Sequence, residues 1–108
     1  MKSSNTIQVE LQQVTRQTKK LEQCADDLQK VRRQLQELMN DLRVSWAGES
    51  AELYLQKCNE LSNKINTSAK NLGKTADVIE RSAKAYRDAE LAAIKIAEAA
   101  TRAGGNLK

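Results

Sequence analysis

Val44-Ser45-Trp46-Ala47-Gly48-Glu49-Ser50 interrupts a helical pattern that otherwise fills a chain of 108 residues. Trp46 is the only Trp in the chain. One heptad stripe stops just before this stretch and another begins just after it. Gly48 supplies backbone geometry that a residue with a Cβ resists. Either Ser45 or Gly48 caps a helix beginning at 49, and Glu49 suits the positive end of that helix. A connection this short folds the chain back antiparallel to itself. Trp46 either closes the end of the hairpin or anchors an interface there. The expected organisation is a disordered 1–5, a helix over 6–44, a turn at 45–48, a helix over 49–100 and a flexible tail over 101–108. That tail carries Gly104-Gly105 and no continuing stripe.

Outward from the turn, the first stripe runs Ile7, Val14, Leu21, Leu28, Leu35 and Leu42, six apolar residues at intervals of seven. Such regularity marks one amphipathic helix face. Leu11, Thr18, Cys24 or Ala25, Val31 and Leu38 fall between them and complete a coiled-coil seam. The second stripe runs Cys58, Ile65, Leu72, Ile79, Tyr86, Ala93 and Ala100. Its flanks are smaller: Tyr54, Leu61, Ser68, Thr75 and Ser82, with Ala69, Ala76 and Ala83 beside them. Small residues along a seam let two helix axes approach closely. Gly73 lies inside this pattern. The stripe keeps its phase on both sides, so the helix is expected to pass through it at a cost of roughly 1 kcal/mol.

The composition agrees with helices. There is no Pro, no Phe and no His, and Gly occurs four times. Three aromatics are too few to fill a compact globular core, whereas two packed helices need only a narrow apolar seam. The net charge of +4 comes from 18 basic and 14 acidic residues of interspersed sign. No basic stripe with interleaved aromatics is present, which argues against nucleic acid as a partner. No stretch has the length and apolarity of a membrane span, so stable membrane insertion is not expected. Met1 to Thr15 hold no apolar run, which argues against a cleavable secretory signal.

Hairpin geometry constrains the cysteines and the tail. With the turn centred near Trp46-Ala47, Leu35 faces Cys58 and Cys24 faces Ala69. Cys24 and Cys58 are then offset by roughly 16 Å along the axis. A disulfide needs Cα atoms within about 7 Å, so two free thiols on the seam are expected. The same register sets Tyr86 opposite Ile7. The overhang Glu90-Leu91-Ala92-Ala93-Ile94-Lys95-Ile96-Ala97 therefore continues an apolar face with no helix of its own chain beside it. A second hairpin covers such a face most simply. The expected architecture is all-α: an antiparallel helix-turn-helix hairpin pairing into a four-helix bundle dimer. The sequence leaves homodimer and heterodimer open.

Trp46 and Gly48 at mid-chain, with Tyr86 and Glu90 one helical turn apart near the end of the second helix, resemble the WxG family of ESAT-like proteins. That resemblance covers about residues 7–100. It implies a substrate of a type VII secretion system: made in the cytoplasm without a signal peptide, exported as a folded helical dimer by a membrane ATPase, and delivered to the cell surface or beyond. It also implies that Trp46 and Gly48 of one chain combine with Tyr86 and Glu90 of its partner into a composite export signal. Two features depart from the pattern, the two Cys and the long Ala-rich tail after Glu90. The tail leaves room for an alternative, an escort or targeting partner of a larger secreted helical toxin. A cytosolic coiled-coil scaffold is the third reading.

Catalysis is not expected. Without His there is no His-based triad or His metal site, and two distant Cys do not make a zinc site. No Gly-rich phosphate loop is present, so no cofactor is expected either.

Overall fold

The computed structural model describes residues 3–106. They form two helices, α1 (Ser4–Ser45) and α2 (Glu49–Asn106), with no strand among the described residues. Both helices outrun the expected bounds. At the start, the Ser3 hydroxyl accepts the backbone N–H of Thr6 at 3.1 Å, and its carbonyl accepts that of Ile7. Ser3 is thus an N-cap, which draws Ser4 and Asn5 into the helix instead of leaving them disordered. At the other end, residues 101–106 are helical, not a flexible tail. The Ala-rich run from Ala97 to Ala103 has high helix propensity, and the Thr101 hydroxyl donates back to the carbonyl of Ala97 at 2.9 Å. Residues 1, 2, 107 and 108 lie outside the described residues. α2 passes through Gly73 unbroken.

The chain divides into two compact units: Lys20–Ala76, which contains the turn, and Met1–Lys19 with Asp77–Lys108. In the turn unit the helices run antiparallel. Gln29 Nε2 donates to Asn66 Oδ1 at 3.0 Å, and Arg32 Nε donates to Ser62 Oγ at 3.2 Å. These two polar rungs cross a seam otherwise made of hydrocarbon. Met39, Ala51, Cys58, Ala69 and Ala76 are buried, and Leu21, Leu28, Leu35, Leu42, Ile65 and Leu72 are half-buried. Small side chains at Ala51, Ser62, Ala69 and Ala76 recur along the inner face of α2, where they admit the larger chains of α1.

The seam is rotated from the one expected. Its intermediate positions on α1 are Ala25, Arg32 and Met39, whereas Cys24, Val31 and Leu38 are exposed. On α2 they are Leu55, Ser62 and Ala69, whereas Tyr54, Leu61 and Ser68 are exposed. Apolarity alone favours Val31 over Arg32. The Arg32 guanidinium instead satisfies the buried Ser62 hydroxyl, and Arg32 is half-buried there. Cys24 and Cys58 are both free thiols, but only Cys58 is buried.

In the other unit, Ile7 and Thr18 are buried and Leu11 and Val14 half-buried on α1. On α2 the half-buried positions are Glu80, Ala83, Arg87, Glu90, Leu91, Ile94 and Ala97. Ile79, Tyr86, Ala93 and Ala100, expected on the stripe, are exposed. A straight helix turns back about 20° for every seven residues. After three heptads from Cys58 the inward position has therefore passed from Ile79 to Glu80.

Candidate functional site

The turn is built by residues whose backbones are held on both sides. The N–H of Trp46 donates to the carbonyl of Leu42 at 2.8 Å, which extends the bonding of α1 one residue past its end. The carbonyl of Gly48 accepts the N–H of Glu52 at 3.1 Å, which makes Gly48 the N-cap of α2. Ser45 does not cap that helix; its hydroxyl donates back to the carbonyl of Asp41 at 3.0 Å. Gly48 has φ of 112°, a conformation that L side chains rarely adopt. Glu49 and Glu52 lie in the first turn of α2 and Arg43 in the last turn of α1, each opposite in sign to the helix end it occupies.

Trp46 is 41% exposed. Its ring lies 5.7 Å from that of Tyr54, centroid to centroid, at an interplanar angle of 58°. Tyr54 is itself 49% exposed. Sequence reasoning placed Tyr54 on a seam flank and missed this pairing. The spacing of eight residues across a turn is the only signal that bears on it.

Tyr86 and Glu90 belong to the other unit. Tyr86 is about half exposed, and Glu90, one turn later on α2, is half-buried. The i, i+4 spacing sets the phenol and the carboxylate on one side of the helix.

On one side of the turn unit is a concavity of about 260 Å³ lined by Gln36, Met39, Asn40, Arg43 and Asn59. Its lining supplies no carboxylate, thiol or imidazole. No group of His, Cys, Asp and Glu among the described residues is arranged to hold a metal ion. No described helix is long and apolar enough to cross a membrane. Lys57 with Glu60 and Arg81 with Asp77 are local pairs on wet faces of α2 and contribute little to stability, whereas Lys84 with Glu80 and Arg87 with Asp88 each join an exposed side chain to a half-buried one. Trp46 and Tyr86, one at each sequence motif, are both about half exposed.

A family model described as "WXG100: Proteins of 100 residues with WXG" matches residues 6–91. The matched segment contains Trp46, Gly48, Tyr86 and Glu90 and ends where the last fifteen or so residues of α2 begin. No curated protein and no solved structure matches the chain.

Proposed function

The chain belongs to the WXG100 family, and we propose that it is a type VII secretion substrate exported as a folded helical dimer. Trp46 and Gly48 of one protomer, with Tyr86 and Glu90 of its partner, form the signal read by the secretion ATPase. After export the protein resides at the cell surface or outside. It works by binding other proteins and not by catalysis.

One observation carries this reading. Both aromatics that the motif needs lie within the family match and are left about half exposed, Trp46 at 41% and Tyr86 at 48%. All three of the chain's aromatics, Tyr54 included, keep two-fifths to one-half of their surface exposed, which leaves area at both motifs for a receptor to cover. The bundle is supported by the apolar stripe outside the seam. Val31 and Leu38 on α1 and Tyr54 and Leu61 on α2 are each about half exposed. Matching positions of antiparallel helices flank the same side of their seam, so these four residues share one side of the turn unit. WXG100 proteins typically form dimers, and this side is the one we assign to the partner hairpin.

Export from a cell carrying the secretion machinery tests the proposal. Trp46→Ala and Tyr86→Ala should each cut export at least tenfold, with far-UV circular dichroism unchanged. Undiminished export of both variants sinks the signal.

A second reading, an escort for a larger secreted helical toxin, draws on α2 continuing past residue 91, beyond the family match, to Asn106. Ile96 in that segment is 72% exposed. An escort gains helix or stability only when its cargo is added; a self-sufficient substrate is a stable dimer alone.

A further inference from the structure

We propose that Tyr54 is a positioning residue for the turn half of the export signal, fixing the direction in which the Trp46 indole is presented. The inference rests on the export reading above and adds a residue to it.

Trp46 lies between the helices, after Ser45 and before Glu49. Its backbone N–H is held by Leu42, but that bond leaves the side-chain torsions free. An indole 41% exposed is not locked by a packed core. Yet a receptor that reads an aromatic anchor gains most when the anchor is already oriented, because the ordering cost is then met before binding. Tyr54 supplies the orientation. Its backbone belongs to α2, whose neighbouring residues Ala51 and Cys58 are buried in the seam, so the base of the phenol ring is fixed. The separation of 5.7 Å and the tilt of 58° fall in the range where the edge of one ring meets the face of another.

The pair is not explained as core filling. Each residue keeps between two-fifths and one-half of its surface exposed, more than a fully packed core residue does. The chain has three aromatics and places two of them here, against each other.

The single Trp makes the test direct, because intrinsic fluorescence and near-UV dichroism of the indole report Trp46 alone. Tyr54→Ala, Tyr54→Leu and Tyr54→Phe would be compared with the unaltered chain and with Trp46→Ala. Tyr54→Leu keeps apolar bulk and helix propensity, and so covers the case in which the Ala variant fails to fold. The Ala and Leu variants should both keep their helix content, and Tyr54→Leu, which keeps apolar bulk on the side assigned to the partner hairpin, should also keep the dimer mass. Acrylamide quenching of Trp46 should rise by a factor of about two, its near-UV signal should fall, and export should drop several-fold. Tyr54→Phe should restore all three. Normal export of Tyr54→Leu alongside failed export of Trp46→Ala overturns the positioning role and leaves the signal standing. Normal export of Trp46→Ala overturns the underlying reading instead. Unchanged quenching in Tyr54→Leu also overturns the role, whatever its export.

Discussion

Gly48 and Gly73 show how the same residue type serves opposite ends at different positions. A Cβ added at either meets nothing within 4 Å, so crowding decides neither case. Gly48 has φ of 112°, where any other L residue is strained, and its carbonyl caps α2. Gly48→Ala should therefore destabilise the fold by about 1–3 kcal/mol. Gly73 is a helical residue inside α2, where Ala is the better former, so Gly73→Ala should stabilise by up to about 1 kcal/mol. Urea unfolding of the two variants at one protein concentration checks the opposite signs; a shift in the same direction for both contradicts the backbone argument. The role of Gly48 was legible in the sequence because a lone Gly between two stripes has few other reasons to be there. The conformation of Trp46 was not, since exposure and ring pairing depend on the neighbour eight residues on. Nor was the exposure of Cys24, which one step around the helix separates from the half-buried Ala25.

At the scale of the elements, heptad counting located both helices and the turn, and erred by about one position on the faces. The reason is physical. α1 carries apolar residues on an arc wider than one seam, so Val31 and Leu38 compete with Arg32 and Met39 for the inward place. The long cation wins at 32 because α2 offers a buried hydroxyl opposite it, and no pattern confined to α1 contains that fact. α2 drifts for a different reason, the mismatch between 3.6 residues per turn and a repeat of seven. The polar rung is open to measurement. Ser62 is 1% exposed, and a buried hydroxyl that loses its partner is costly. A double-mutant cycle of Arg32→Met and Ser62→Ala should give a coupling of about 0.5–1.5 kcal/mol, with the double variant more stable than the two single losses suggest. Strict additivity shows that the hydrogen bond contributes nothing to the hairpin and that Arg32 acts through its stem alone.

For the whole molecule, the surplus of apolar surface is what calls for a partner. The inner seam uses one side of each helix, and the side carrying Val31, Leu38, Tyr54 and Leu61 stays in water. Four half-exposed apolar side chains on one side of two helices resemble the interior of a bundle cut open. If a second hairpin covers this side, Leu38→Asp with Leu61→Asp sets four carboxylates into the dimer interface and none into the hairpin seam. Light scattering should then fall from twice 12.1 kDa to the single-chain mass while helix content stays largely intact. Cys24 adds a second readout, because it is exposed and falls seven residues before Val31 on the same stripe, whereas Cys58 is buried in the seam. Thiol labelling of the unaltered chain should slow at Cys24 as protein concentration rises through the dimerisation range. In the double variant it should be fast and independent of concentration. Labelling at Cys58 should be slow in both, since the seam that protects it belongs to one chain. A double variant that keeps the dimer mass and a slow Cys24 places the partner on another face. One that loses its helices and exposes Cys58 shows that the hairpin does not hold together without its partner, as an escort awaiting its cargo requires.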